Sequence, residues 1–153
     1  MSENNCILKP EQYNFLWKTS FLSLFSSLYG IYKGYNDISY STFAVFLSSI
    51  NYWKKPDYSW RRYLDITVVN ISLIYHLLRA QNSQYSKLYY STLFTGICFF
   101  PLSKYYYNKK LYWYSTYSHS MLHILANISN IILYSGFISP KYSIYNLKYY
   151  NIK

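Results

Sequence analysis

Charged residues are scarce in this chain, and acidic residues are the scarcest. Charged side chains make up 13% of the 153 residues, roughly half of the share of about 25% that globular domains carry. The 5 acidic residues stand against 15 basic ones, and the charges cluster between long uncharged segments. This distribution disfavours an evenly charged soluble surface, so a soluble, aromatic-rich helical domain is the less favoured alternative.

Cysteine is also sparse, and the short motifs of several enzyme classes are missing. Cys6 and Cys98 are far apart, so the sequence predicts neither a disulfide framework nor a cysteine metal site. The GxSxG, HExxH, CxxC and phosphate-loop motifs do not occur. Residues 1–12 resemble neither a secretory signal nor an Arg-rich transit peptide. No strand pattern and no internal repeat competes with a helical interpretation.

Aromatic residues are abundant: they form 24% of the sequence, and 23 of them are Tyr. The mean hydropathy of -0.10 is close to zero, which would ordinarily argue against a membrane protein. Hydropathy scales treat Tyr as polar, although its ring is apolar and only its hydroxyl is polar. The distribution is therefore more informative than the mean, and it shows uncharged, aromatic-rich segments alternating with short basic ones.

Five uncharged or nearly uncharged segments approach or exceed the length of about 20 residues that a bilayer-spanning helix needs. They predict one all-α domain over residues 1–153, an integral, multi-pass transmembrane helical bundle with about five spans. A polar segment, residues 1–12, precedes the spans, and a tail rich in Tyr, Asn and Lys, residues 139–153, follows them. The predicted spans are residues 13–32, 38–53, 64–78, 88–102 and 111–138.

The net charge of +10 comes mostly from cations at the ends of these segments. Cations that flank apolar spans are typical of loops at a membrane surface. No DNA- or RNA-binding motif accompanies them, so the predicted partner is a lipid bilayer and not nucleic acid. Residues 54–63 and 103–110 are predicted loops on the same, more basic side, which favours a cytoplasmic N-terminus. In the first loop, Arg61 and Arg62 are the predicted contacts to anionic lipid head groups.

The last predicted span carries a polar face. His119, His123, Asn127, Asn130 and Tyr134 follow one another at steps of four, four, three and four residues. These steps place the five side chains on one side of a helix with 3.6 residues per turn. Such a face does not suit lipid, so we expect it to point into the bundle or into a wet cavity.

The two histidines of this face admit two interpretations. His119 and His123 are one turn apart, so both rings can reach one metal ion, zinc being the candidate. A third ligand could come from Asp65 or His76 on another span, and a carboxylate beside His would also suit general acid–base chemistry. The second interpretation, which we favour slightly, is that these side chains form hydrogen bonds between helices as part of packing.

Asp65 and His76, the two candidate third ligands, lie at different depths along the same predicted span. If Asp65 joins the histidine pair, His76 lies about three turns deeper on the same helix and is predicted to face Asn127 or Asn130. The metal interpretation thus predicts one cluster around Asp65 and a separate polar contact at His76.

The order of a Ser, then an Asp, then HxxxH resembles the alkaline ceramidase and adiponectin-receptor superfamily of membrane hydrolases. Members are typically seven-helix proteins with a zinc ion in the bundle. Ser48 or Ser49 matches the Ser of that pattern, and Asp65 matches its Asp. His119 and His123 match the final pair. The resemblance implies catalytic roles for Ser48, Ser49 and Asp65, with Asp65, His119 and His123 holding or orienting a zinc-bound water that hydrolyses a lipid amide or ester.

The chain also departs from that pattern. One turn after Ser48 or Ser49 the superfamily has a His, whereas this sequence has Tyr52 or Trp53. The chain also has about five predicted spans rather than seven. Two functions therefore stay open: an accessory or structural subunit that works with other membrane proteins, or a reduced ceramidase-like, zinc-dependent hydrolase. Whether the protein is an enzyme is not decided by the sequence.

Overall fold

A computed structural model describes residues 6–139, which form an all-helical bundle. The stretches 1–5 and 140–153 are outside the described residues, and with them most of the predicted tail. The six helices are α1 (Pro10–Thr19), α2 (Phe21–Tyr32), α3 (Asn36–Trp53), α4 (Trp60–Ala80), α5 (Ser86–Asn108) and α6 (Tyr112–Ser135).

The first predicted span, residues 13–32, consists of two helices rather than one. Ser20 separates α1 from α2 while keeping a helical backbone, with φ -62° and ψ -24°. The hydroxyls of Thr19 and Ser20 both donate to the Leu16 carbonyl oxygen, at 2.8 and 3.1 Å. Serine and threonine hydroxyls that bond the preceding turn in this way often bend helices, which accounts for the break.

The other four spans each correspond to one helix, with shifted ends. Helix α5 shows the largest shift, because it continues to Asn108 although residues 103–110 were expected to be a loop. Pro101 lies inside this helix and is exposed. A proline removes one backbone donor without ending every helix, and the Tyr and Lys residues after it extend α5 by about two turns.

Helix α6 lies at the centre of the bundle. It packs along α5 and also contacts α1 and α2, while α3 packs between α2 and α4. Helix α4 contacts α3 extensively but touches α5 only slightly, so it is the peripheral helix. The cluster of Ile38, Tyr89, Leu133 and Tyr134 joins α3, α5 and α6 in the largest apolar core.

The connections gather at two ends of the bundle. At one end, which we call the basic end, residues 6–9, 54–59 and 109–111 lie together. The Ile7 amide donates to the Pro56 carbonyl at 3.0 Å, and the Tyr107 hydroxyl donates to the Ile7 carbonyl at 3.4 Å. The sequence-predicted placement of residues 54–63 and 103–110 on one side agrees with this arrangement.

The opposite end, which we call the tail end, is closed by the segment after α6. Residues 136–139 run across the α4–α5 connection, where Ser83 and Ile138 form an antiparallel bridge. The Tyr35 hydroxyl donates to the Gly136 carbonyl at 2.7 Å. Arg79 pairs with Asp37 at 2.9 Å and also donates to the Ser139 carbonyl at 2.9 Å.

In this bundle, many small and polar side chains are buried and many large apolar side chains are exposed, which is the reverse of the pattern in soluble proteins. On α2, every buried residue is Ser or Gly, whereas Phe25 and Leu28 are 63% and 52% exposed. On α4, the buried residues are Asp65, Ser72, His76 and Ala80, and the exposed ones include Ile66, Ile71 and Ile74. Over the described residues, more polar than hydrophobic side chains are buried. Among residues 6–139, no helix is at once long enough and apolar enough to be identified as a membrane span.

Small residues allow the helices to approach closely. At Gly30 on α2, an added Cβ would overlap the Ser39 hydroxyl and lie 2.9 Å from ring carbons of Tyr134. At Gly96 on α5, it would lie 2.9 Å from the Leu125 Cβ on α6. Contacts between heavy atoms this short require neighbours to move, so both glycines are needed for the observed packing.

We predict that Gly30→Val lowers the stability of the bundle by about 1–3 kcal/mol, the typical cost of overpacking a close contact. The Leu28→Val substitution on the exposed side of the same helix is the control, and it should change stability by less than about 1 kcal/mol. Thermal unfolding followed by circular dichroism measures both. Equal melting temperatures for Gly30→Val and the control would contradict the close contact of α2 with α3 and α6.

Candidate functional site

Asp65 is held by two neighbouring serines across the α3–α4 interface. Ser48 and Ser49 lie in the last turns of α3, and Asp65 lies in the second turn of α4. Both hydroxyls donate to the same carboxylate oxygen, Oδ1, at 2.8 Å, and Asp65 is 9% exposed. The three residues that the resemblance marked as catalytic are therefore in mutual contact.

This carboxylate has no ion-pair partner within residues 6–139, where the ion pairs are Asp57–Arg61 and Asp37–Arg79. Its environment consists of the two hydroxyls and buried side chains such as Tyr52, which is 7% exposed. Hydrogen bonds to an ionised acceptor are stronger than neutral ones. The two serines thus compensate for part of the cost of removing Asp65 from water.

His119 and His123 lie next to each other among aromatic rings. Their ring centroids are 5.1 Å apart, as expected for a one-turn pair on α6. The ring of Trp53, from the end of α3, lies 5.1 Å from His119, and Phe100 of α5 lies 6.5 Å from it. Both histidines are partly buried. Trp53 and Phe100 thus supply aromatic rings, not metal ligands, beside His119.

The predicted convergence of Asp65 with His119 and His123 does not occur. In the part of the chain that the structure describes, no group of three or more His, Cys, Asp and Glu side chains is placed to hold a metal ion. Asp65 is engaged by Ser48 and Ser49, and the α3 side chain that reaches His119 is Trp53. The residues present therefore do not fit the three-ligand zinc site, and we derive no step that depends on a metal.

Asn127, in the middle of the polar face of α6, binds α2. Its Oδ1 accepts a hydrogen bond from Ser26 at 2.6 Å, and its Nδ2 donates to Ser23 Oγ at 3.2 Å and to the His123 carbonyl at 2.8 Å. Asn127 is 6% exposed. Its amide is therefore fully used in joining two helices.

His76 has a different partner from the one expected. Its Nδ1 lies 2.8 Å from the Ser72 carbonyl oxygen, an acceptor, so this nitrogen donates, and Nε2 can accept from the Tyr134 hydroxyl at 2.8 Å. Thr42 Oγ1 lies 2.8 Å from the Tyr134 hydroxyl and 3.1 Å from Nε2. The predicted contact of His76 with Asn127 or Asn130 is thus wrong, because Tyr134 is the α6 residue that reaches the His76 ring.

The residues of this His76 network come from three helices, α3, α4 and α6. Thr42 was not singled out in the sequence, and neither were Ser23 and Ser26 on α2. The available signal was the helical spacing of small hydroxyl residues, which marks a packing face. Asn130 is partly buried and takes no part in this network.

The two predicted head-group arginines have different surroundings. Arg61 pairs with Asp57 at 2.8 Å and donates to the Lys55 carbonyl at 2.8 Å. A hydrogen bond from Ser59, together with the Arg61 contacts, holds the pKa of Asp57 below its usual value. Arg62 instead lies over the Tyr58 ring, 5.0 Å from the centroid. Arg61 therefore organises its own loop, and Arg62 is the more available cation.

No family model, no curated protein and no solved structure matches the chain. A function for this protein is therefore inferred from the geometry described above.

The Asp65 cluster gives a direct test of its packing role. Asp65→Ala leaves the Ser49 hydroxyl without its acceptor, whereas Ser48 keeps the Val45 carbonyl at 3.0 Å. We expect a loss of about 1–3 kcal/mol in stability. Asp65→Asn keeps a side-chain oxygen and should lose clearly less. Chemical unfolding of both variants measures the difference. Losses of equal size in the two variants would show that the acceptor oxygen does not stabilise this interface.

Proposed function

We propose that this protein is an integral membrane helical bundle that serves as an accessory or structural subunit of a membrane assembly. In this proposal α1 and α2 together form the first span, and α3, α4, α5 and α6 form the other four. The tail end and the basic end then face opposite sides of the bilayer.

The proposal is based on which side chains are buried: large apolar side chains are exposed, and small polar side chains are buried. Apolar side chains such as Phe25, Ile71, Ile74 and Phe94 are more than half exposed, while serines and Asn127 fill the contacts between helices. Monomeric soluble proteins rarely expose extended apolar surface. In lipid, that surface needs no cover, and helices associate through small residues and hydrogen bonds between helices.

The aromatic residues of the basic end support the same placement. Trp60, Tyr58 and Tyr63 are 67%, 67% and 64% exposed, and each belongs to the region around the α3–α4 connection. Exposed Tyr and Trp beside cations are typical of the level of lipid head groups. Lys104 lies 4.5 Å from the centroid of the Phe100 ring, which gives α5 a similar pairing.

The internal hydrogen bonds favour a structural role over catalysis. Asn127 is occupied by α2, and Tyr134 by Thr42 and His76. A catalytic group needs a free lone pair or proton that a substrate can reach. These side chains are already used to specify how the helices pack.

The alternative, a reduced ceramidase-like hydrolase, has one specific observation in its favour. Ser48, Ser49 and Asp65 are in direct contact, and Trp53, one turn after Ser49, touches the His119 ring. The positions matched to the superfamily pattern are thus linked by contacts. A metal ligand at position 53 is missing, so the hydrolase is the second candidate.

Placement in a bilayer can be measured by cysteine labelling. In a chain with Cys6→Ser and Cys98→Ala, single cysteines replace Lys54 and Lys109 at the basic end, or Lys33 and Asn82 at the tail end. With an impermeant thiol reagent on sealed vesicles, we expect both positions of one end to react and both positions of the other end to react only after permeabilisation. Reaction of all four positions in sealed vesicles would contradict a spanning bundle.

Zinc content separates the two candidate functions. The structural proposal predicts that His123→Ala leaves the metal content of the purified protein unchanged, because His123 is then a packing residue. The hydrolase candidate instead requires about one zinc per chain, lost in this variant. Elemental analysis after purification without chelator decides between them, and Asn130→Ala on the same helix is the control.

A further inference from the structure

A half-open cavity of about 540 Å³ lies at the basic end. The residues before and within the first turn of α1 form one wall, the α3–α4 connection forms another, and Tyr112 at the start of α6 completes it. Its volume is in the range of small-molecule sites. The lining residues with polar side chains include Lys9, Lys55, Gln12, Tyr13 and Tyr112.

The walls of this cavity are fixed by hydrogen bonds. The Ile7 amide donates to the Pro56 carbonyl at 3.0 Å, which joins the segment before α1 to the α3–α4 connection. Arg61 donates to the Lys55 carbonyl at 2.8 Å, so the backbone that carries the Lys55 side chain is held. Gln12 is 2% exposed, and its Oε1 accepts from the Lys9 amide at 3.1 Å. The cavity is therefore built by the fold and is not only a gap between mobile side chains.

Among residues 6–139, the charged residues that line the cavity are both basic. Neither Lys9 nor Lys55 has an ion-pair partner in the stretch 6–139. The nearby carboxylate of Asp57 is engaged by Arg61, and Glu11 is exposed and does not line the cavity. Two lysines at a concave site that is also lined by Tyr and Gln residues suit an anion with several acceptor oxygens.

We propose that this cavity binds the phosphate ester of an anionic lipid head group through Lys9 and Lys55. The inference rests on the proposed membrane placement, which brings the basic end to the level of the head groups. Ile7, Leu8 and Pro10 also line the cavity, and their apolar side chains suit the first carbons of the lipid's acyl chains. Arg61 then acts on the site indirectly, because it fixes the Lys55 backbone.

Native mass spectrometry of the full chain in neutral detergent tests the site. The probes are phosphatidylglycerol, phosphatidylcholine and soluble glycerol phosphate. We expect one saturable phosphatidylglycerol per chain and no comparable binding of phosphatidylcholine. Lys9→Gln with Lys55→Gln should weaken phosphatidylglycerol binding by at least about tenfold, given the contribution of each cation near an anionic group. Lys9→Arg with Lys55→Arg keeps both charges and should bind within about threefold of the unsubstituted chain.

The control variant also removes two lysine charges, but at positions outside the cavity. Lys33→Gln with Lys87→Gln, away from the basic end, should leave binding within about twofold. Equal weakening by both pairs, or no weakening by the Lys9 and Lys55 pair in a chain with unchanged helix content, would overturn the proposal. Saturable binding of glycerol phosphate alone, with the same lysine dependence, would overturn the lipid assignment. That result would leave a phosphate site even if cysteine labelling contradicted the membrane placement.

Discussion

The need to pair buried polar groups inside the bundle is the constraint on which the rest of this structure depends. When the interior holds serines, an aspartate and an asparagine, most donors and acceptors find a partner on another helix or on their own backbone. Among residues 6–139 the exceptions are the hydroxyls of Ser83 and Tyr89. The contact of His76, Thr42 and Tyr134 meets this requirement for three helices at once. An apolar core can slide or repack at modest cost, whereas a hydrogen-bonded set has few alternative arrangements. The polar interior therefore defines which helices are neighbours, and Gly30 and Gly96 allow them to come close enough for those bonds to form.

The two ends of the bundle are organised by different interactions. At the tail end, Tyr35 and Arg79 fasten the segment after α6 to the α3 and α4 helices. At the basic end, cations outnumber acids, and the Asp57 carboxylate is used within its own loop by Ser59 and Arg61. One end is therefore closed by internal contacts, whereas the other leaves Lys9, Lys55 and Arg62 available to an anion. Exposed tyrosines and tryptophans also surround the basic end.

The helices could be predicted from the sequence, and their contacts could be predicted only in part. Uncharged segments with charged boundaries located α3, α4, α5 and α6 one by one, and α1 with α2 as a single segment. The polar face of α6 was visible in the spacing of His119, His123, Asn127 and Tyr134. The resemblance singled out Ser48, Ser49 and Asp65, but the hydrogen bonds that join them are known only from the structure. The partner of His76 could not be predicted, since periodicity gives the side of a helix on which a residue lies and not the helix that packs there.

The break at Ser20 was missed because a hydroxyl that bonds the preceding turn leaves no distinct signal in hydrophobic spacing. The continuation of α5 to Asn108 was missed because the Tyr and Lys residues of the stretch 103–110 are typical of an interfacial loop.

Trp53 occupies the position on α3 that lies beside His119 and His123, where a third metal ligand would have to be. Its ring lies 5.1 Å from His119, which in turn lies 5.1 Å from His123, and one turn earlier on α3 Ser49 donates to Asp65. A ligand-bearing side chain at this one position would stand beside two imidazoles that are already paired, and three such ligands suffice for a catalytic zinc site. The indole instead fills this space with apolar surface. Trp53 is 8% exposed and packs in the apolar cluster with Leu16 and Tyr52. The same side chain therefore stabilises the packing of α1 with α3 and keeps a ligand away from the histidine pair.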